Sequence, residues 1–529
     1  MMPMKMTRKD FLRTSMAAGT ALFTGAPLLA GTAEASSVTG GARPRQGRMT
    51  LIKKATILTM DPKLGDIIDG DVLIDGSKIL KVGHNIEAPN ADLIDARDMI
   101  LMPGMCDGHR HLWESMAVTR PDLTLVTWHM MWAVGMTPEA VYDYCYLGGK
   151  MAINSGVTRV IDYCHVTHTP EKMVAAAHGA VDSGIGGINC PQLSGTVPFG
   201  PGDTVNFKAA WSTMRGPADE WHFELAEKLR DELFSDSQAP LQFGLAHSTA
   251  EAGASRESIH AEWARAQALE PKMMTGHVSG RHAGKPAKYR VVPDLIKAGL
   301  LRDNYIVGHG NGLTDEELLM LRDVGAGLAS TPRAEVRMNI PMPLGRCHRL
   351  GVPVAFGVDH LIYNPLDYFE HIRSADIAMY AERGENKEIA KTMTARDYMH
   401  VATLGGAKAL GIDAKVGSIT PGKLADLVLL RTDRLGFPAI DDLAERVYTY
   451  AGIQDIDRVW VQGKLHKKDG ELVDFDKGLY KRAIKSWDIA RADGETITFI
   501  GENGNILTAE DVRSPSFNPG RPQPASRPR

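Results

Sequence analysis

The sequence predicts an α/β fold: a (β/α)8 barrel, or TIM barrel, carrying a small β-sandwich formed from both chain ends. Three observations predict it. Through the middle of the chain short β-prone runs alternate with helical stretches, the pattern of parallel βα units. Eight such runs can be placed over roughly 300 residues, the size of an eightfold barrel. Several of them end in histidine or aspartate, and a barrel gathers the side chains at its C-terminal strand ends around one mouth.

The elements follow in order. Lys5, Arg8, Lys9 and Arg13 precede an apolar stretch from Met16 to Leu29, and the small-residue segment Ala33-Glu34-Ala35 comes next. Residues 1–35 are therefore expected to be an export signal peptide. Thr7-Arg8-Lys9-Asp10-Phe11-Leu12-Arg13 is similar to a twin-arginine motif, with Lys9 in place of the second arginine. The apolar run is short for a bilayer span, so the expectation is a periplasmic or secreted protein without a stable membrane anchor. Residues 36–48, rich in Ser, Gly, Arg and Pro, read as a linker.

The β-sandwich is expected from residues 49–102 and 411–475. Leu51-Ile52, Ala55–Leu58 and Asp71–Ile74 are β-prone runs broken by Asp61-Pro62 and Asp75-Gly76 turns. Ala425–Leu430 and Arg458–Lys464 supply the other half. Residues 103–410 between them hold the barrel. Its strand ends are placed in Met99–Asp107, Arg159–Tyr163, Ile185–Cys190, Gln242–His247, Met273–His277, Tyr305–His309, Ala326–Thr331 and Val354–Asp359, with helices such as Glu257–Ala268 and Thr314–Val324 between. Residues 476–529 are a C-terminal extension whose end, Ser514–Arg529, has the Pro, Ser and Arg content of a disordered tail.

Composition narrows the function classes. A chain of 529 residues exceeds one ordinary core and suits one large domain with a smaller one. Hydrophobic content of 43% and charged content of 23% are those of a globular protein, and a net charge of -4 gives no electrostatic case for nucleic acid. The partner expected is a small-molecule substrate. Cys106, Cys145, Cys164, Cys190 and Cys347 form no CxxC pair and read as buried thiols.

The chemistry-bearing residues lie at the strand ends: His109 and His111, His277, His309, and Asp359. Strand side chains repeat every two residues, so His109 and His111 point the same way and can share one ion through neutral imidazole nitrogens. With 18 histidines in the chain an isolated His-x-His arises by chance; its position just after Leu101-Met102-Pro103-Gly104 and the order of the other three residues give it weight. A third histidine and a carboxylate complete a site suited to one divalent metal ion, zinc, with ferrous iron as the alternative.

Pro103-Gly104-Met105-Cys106-Asp107-Gly108-His109-Arg110-His111 resembles the PGxxDxHxH signature of the amidohydrolase superfamily. Gly156–Asp162, Thr275–Ser279, Val307–Leu318 and Gly357–Asp359 resemble its second, fifth, sixth and eighth barrel strands. Ala402–Gly411 and Val416–Val428 are similar to the tail signature of its cytosine deaminase and triazine hydrolase branch. The resemblance covers about residues 50–475. It implies that His109, His111, His277 and Asp359 hold a single divalent metal and that His309 stands beside it to polarise the substrate. The fourth strand, Gln242–His247, has no lysine, so the carboxylated-lysine bridge of two-metal relatives is not expected; His247 reads as a pocket or structural residue. Relatives of this kind often form dimers or larger assemblies, so the resemblance admits a homo-oligomer.

One position departs from the pattern. Many deaminases of this branch carry His-x-x-Glu on strand five, whereas here the segment is His277-Val278-Ser279-Gly280. With no glutamate at 280, Asp359 is the expected general base and proton donor, and His309 the group that stabilises developing charge. The reaction expected is hydrolysis of a C–N bond in an amide, cyclic amide or amino-heterocycle. A lactonase or esterase acting on a C–O bond, and a non-catalytic metal-binding barrel, are the alternatives. Arg110 within the first-strand pair, Trp113 just after it, and His309 are the candidate substrate contacts. Arg333 and Arg337 could join Arg110 on a substrate carboxylate, or be solvated and paired. Thr127-Trp128-His129-Met130-Met131-Trp132 could line a pocket for a planar ring, or pack the barrel's outer layer.

Overall fold

The structure is a computed structural model that describes residues 49–116, 128–214, 216–247, 255–278, 281–282, 285–286, 290–337, 340–361, 364–381, 385–501 and 504–507. The expected signal peptide, the linker, Gly280 and the tail Ser514–Arg529 lie outside the described residues.

Eight parallel strands make the barrel: β1 (Met105–Arg110), β2 (Val157–Cys164), β3 (Gly186–Leu193), β4 (241–247), β5 (Met274–Val278), β6 (Tyr305–His309), β7 (Gly327–Ser330) and β8 (Val354–Phe356). β4 is two short pieces, Leu241–Phe243 and Leu245–His247, broken at Gly244. A Cβ there would lie 2.5 Å from the Ile188 side chain and 2.6 Å from Cys190 Sγ, so only glycine lets β4 lie this close to β3. Nearly every residue of β1, β2 and β3 is buried, as expected of strands with both faces covered. Two backbone bonds close the seam between β8 and β1: Asp359 N donates to His109 O at 2.8 Å and His111 N to Asp359 O at 3.1 Å.

Helices flank the strands, and their ends follow the sequence. Pro138–Asn154 and Pro170–Ser183 start with proline behind a threonine N-cap; Asp315–Val324 starts with a capping box between Thr314 and Glu317 and stops at the left-handed Gly325. Helix Pro138–Asn154 approaches the turn after β1 so closely that a Cβ on Gly148 would lie 2.2 Å from the backbone oxygen of Leu112. Gly148→Ala is therefore expected to cost about 1–3 kcal/mol. A denaturant midpoint like the parent's would refute this.

Met99–Asp107, read as one run in the sequence, is two strands. Met99–Pro103 belongs to a second sheet and β1 to the barrel, with Gly104 at the break. Gly104 N donates to Asp426 O at 2.8 Å, and a Cβ at 104 would fall on the Thr158 side chain. The second sheet unites both chain ends in nine strands. Met99–Pro103 runs parallel to Thr50–Ile57 on one side and antiparallel to Leu427–Arg431 on the other, so the two halves are one continuous hydrogen-bonded sheet. Ile52, Ile57, Val72, Leu101, Leu427, Leu429 and Trp460 share its core. It is tied to the barrel by a buried bidentate pair: Arg159 on β2 donates to Asp426 through Nε at 2.6 Å and through its second terminal nitrogen at 2.9 Å.

Part of the C-terminal extension is folded onto the barrel. Helix Lys477–Gly494 lies against helix Pro138–Asn154, where Arg482 makes two 2.7 Å bonds to buried Asp143 and Trp487 meets Trp132 edge-on at 5.1 Å. Thr498–Ile500 then pairs with Thr204–Asn206. All five cysteines are buried and free, and no helix among the described residues is long and apolar enough to cross a membrane.

Candidate metal centre

Four elements deliver the centre. β1 turns His109 and His111 inward because they are two residues apart; β5 brings His277, β6 brings His309, and the residue that follows β8 by three brings Asp359. His309 and Asp359 both adopt left-handed backbone, φ 66° and 65°, an uncommon state for residues other than glycine that here bends each side chain into the mouth.

The electron-pair donors converge. His277 Nε2 lies 3.1 Å from His109 Nε2, and Asp359 Oδ1 lies 3.1 Å from His111 Nε2 and 3.6 Å from His109 Nε2. The rings of His109 and His309 are 5.0 Å apart, and Tyr163 stacks flat on His277 at 4.4 Å. His111 Nδ1 lies 2.7 Å from the Tyr163 carbonyl, to which it donates, and this turns Nε2 toward Asp359. His309 Nδ1 lies 2.8 Å from Thr331 Oγ1, whose backbone N–H in turn donates to buried Glu335.

Electrostatics suit a cation. Burial holds His109 well below the ordinary histidine range, so it stays a neutral donor. For Asp359 burial works against the charged form, but the positive field of His360 and hydrogen bonds from His109 and His111 outweigh it and keep the carboxyl well below its usual range. For His111 burial is likewise outweighed, here by the Asp359 hydrogen bond and the charge of Glu114, and its pKa is raised to about 9. That proton has to leave before a cation binds.

His111, His277, His309 and Asp359 line a cavity of ≈ 280 Å³ whose other walls are apolar at Val197, Trp211, Met214 and Ile340 and polar at Gln192, Ser194 and Asn311. The Amidohydrolase family profile matches residues 100–466, more than two thirds of the chain. The chain belongs to the amidohydrolase family. This amidohydrolase is 29% identical over 435 residues to the 5'-deoxyadenosine deaminase of Methanothermobacter thermautotrophicus, covering 79% of this chain and 94% of that protein. It is 28% identical to the 5-methylthioadenosine/S-adenosylhomocysteine deaminase of Thermococcus kodakarensis, over 76% and 90% of the two chains. Among solved structures it resembles a zinc-bound adenosine deaminase from Xanthomonas campestris, with a TM-score of 0.68, 23% identity and coverage of 84% and 98%. A zinc-complexed atrazine chlorohydrolase from Arthrobacter aurescens superposes with a TM-score of 0.66 at 20% identity, over 84% and 100%. These two likenesses bear on the fold.

Other sequence-derived candidates divide. Trp113 is fully buried in the turn after β1 and borders the cavity. Arg110 does not reach it: lying between two inward histidines, it points the other way, and its Nε donates to buried Asp107 at 2.7 Å. Asp107 in turn accepts Val358 N, which makes the pair a brace between β1 and β8 rather than a substrate contact. Arg333 pairs with Glu370, and neither it nor Arg337 lines the cavity. His247 is structural; its Nε2 meets Tyr305 Oη at 2.8 Å, and Gly276 leaves room for its ring. Of the aromatic stretch, His129 borders the cavity while Met130, Met131 and Trp132 are core; Thr127 and the Trp128 side chain lie outside the described residues.

Sequence reading passed over Tyr163, Glu114, His165 and His168. His165 carried a signal, since it follows β2 directly. Glu114 carried none.

Proposed function

We propose that this amidohydrolase holds one divalent cation through His109, His111, His277 and Asp359 and hydrolyses a C–N bond of an amino-heterocycle, releasing ammonia. The observation that carries the proposal is the convergence of imidazole nitrogens and one carboxylate oxygen at 3.1–3.6 Å on the cavity wall. The donor set fits the cation. His109 Nε2 and His277 Nε2 face each other beside Asp359, and His109 Nδ1 is buried without a hydrogen-bond partner among the described residues, so a cation taking the place of the shared protons would meet imidazole nitrogens and a carboxylate oxygen. Zinc suits this mixture, and the zinc-bound adenosine deaminase with the same fold supports that choice.

A divalent cation held there would lower the pKa of bound water towards about 7 and so would supply hydroxide at neutral pH. The chain's own groups do the rest. Asp359 remains ionised while buried, so its free lone pairs accept the proton that water gives up as the C–O bond forms. It then returns that proton to the exocyclic nitrogen, the C–N bond breaks to release ammonia, and water's other proton ends on the adjacent ring nitrogen, so that the ring carries a carbonyl where the amine had been. His309, held by Thr331 at 2.8 Å, faces the ring nitrogen or oxygen on which negative charge grows. Apolar walls at Val197, Trp211, Met214 and Ile340 take a planar ring and keep bulk water out.

The amino-heterocycle is favoured over the other C–N substrates by the deaminase relatives, named for adenine nucleosides. A screen of aminopurine nucleosides, aminotriazines, cyclic ureas and lactones, read by ammonia release and product mass, tests the reading. Ammonia from at least one aminated ring, abolished by chelation and restored by zinc, is the expected result. Turnover of lactones alone would replace it with the C–O alternative.

A further inference from the structure

We propose that Glu114, His129 and His165 form a second divalent-cation site that shares no residue with the first and opens on the same cavity. Each residue arrives on a different element. Glu114 ends the short 3-10 turn Leu112–Glu114 behind β1, His129 sits in the single π-helical turn Trp128–Trp132, and His165 follows β2 directly. One nitrogen from each histidine and one carboxylate oxygen lie within 4.8 Å of one another. The His129 and His165 rings are 4.5 Å apart, and His129 Nε2 is 3.4 Å from Glu114 Oε1.

Glu114 supplies the independent sign that a ligand belongs here. It is fully buried, borders the cavity, and its Oε2 has no hydrogen-bond partner among the described residues. A carboxylate taken out of water is retained only where something positive or proton-donating meets it. His129 meets one oxygen, and a cation would meet the other. Two imidazoles and one carboxylate are the ligand types of zinc sites with open positions, and a π-helical turn is the kind of local irregularity that aims a side chain at such a site. All three residues border the cavity, so the remaining coordination positions face the substrate. The two sites are neighbours, since the His165 ring lies 4.2 Å from that of His111, and each has its own carboxylate to offset the added charge.

The test uses the purified full chain, stripped with chelator, re-equilibrated with zinc alone and analysed for metal per chain. The wild type is expected to hold two zinc ions. Glu114→Gln, which keeps the side-chain volume, and His165→Asn should each hold one, and His277→Asn should lose the other. Thermal unfolding shows which variants are folded, and anomalous diffraction at the zinc edge from wild-type crystals gives a reading that needs no variant: a peak among Glu114, His129 and His165 is expected. Saturation of the wild type at one ion that His277→Asn abolishes would overturn the second site and leave the first intact. Two ions retained in folded Glu114→Gln and His165→Asn, or no anomalous peak there, would overturn it as well. A single ion lost in Glu114→Gln and kept in His277→Asn would support this site and remove the first.

Discussion

Asp359→Asn is expected to lower turnover by about 10³-fold or more while leaving the fold intact, because general acid–base catalysis of this kind contributes about 10²–10⁴-fold and Asp359 is also proposed to hold the cation. Asparagine preserves what the backbone needs. It tolerates the left-handed region that residue 359 occupies, and the main-chain bonds from Asp359 N to His109 O and from His111 N to Asp359 O are untouched by the change. The side chain is another matter. The amide keeps one acceptor oxygen but loses the ionised partner of His111 and His109, and its nitrogen accepts no proton. Turnover on any substrate found by the ammonia screen, metal per chain and melting temperature should be measured together. A rate within tenfold of the wild type at equal metal content would show that the proton travels through another group.

Arg159→Met should destabilise the protein by about 3–5 kcal/mol, the usual cost of removing one partner of a buried ion pair. Asp426 is left with its carboxylate out of water and, among the described residues, Gln462 N at 2.9 Å as its remaining donor; Arg159 also donates to the Pro240 carbonyl at 2.8 Å, so a second contact goes with it. The loss follows from stranding a charge rather than from any intrinsic strength of the pair. A double variant, Arg159→Met with Asp426→Leu, should therefore recover most of the stability that the single variant loses. Urea midpoints for the three proteins decide the matter. A single variant that loses less than about 1 kcal/mol would mean that water reaches Asp426 and that the pair is not what ties barrel to sheet.

The histidine pair of β1 was readable because strand alternation is a local rule: residues 109 and 111 share a face wherever that strand lies. His277, His309 and Asp359 were readable from their order along the chain and from the resemblance of their segments to the fifth, sixth and eighth strands of the family. Alternation also contained the answer for Arg110, between two inward residues, although its partner Asp107 becomes visible only when the side chains are placed. The break at Gly104 carried a local sign in Pro103-Gly104, but the partner that fixes it, the Asp426 carbonyl that accepts Gly104 N, lies more than three hundred residues along the chain. Glu114 and His129 stand fifteen residues apart in the connection after β1 and His165 in the one after β2, with no shared spacing, so their meeting is a property of the barrel mouth and not of any one motif.

The seam at Asp359 also governs when the protein can become itself during synthesis. His111 and Asp359 are 248 residues apart, and the strand Met99–Pro103 finds its antiparallel partner only at Leu427–Arg431. A growing chain thus displays both histidines of β1, and two strand edges with nothing beside them, through most of translation. Such long-range pairing is slow and leaves sticky edges exposed meanwhile. Closing the barrel and completing the cluster that faces the cavity are one late event, so no fragment ending before the eighth strand should be stable or retain metal at the first centre.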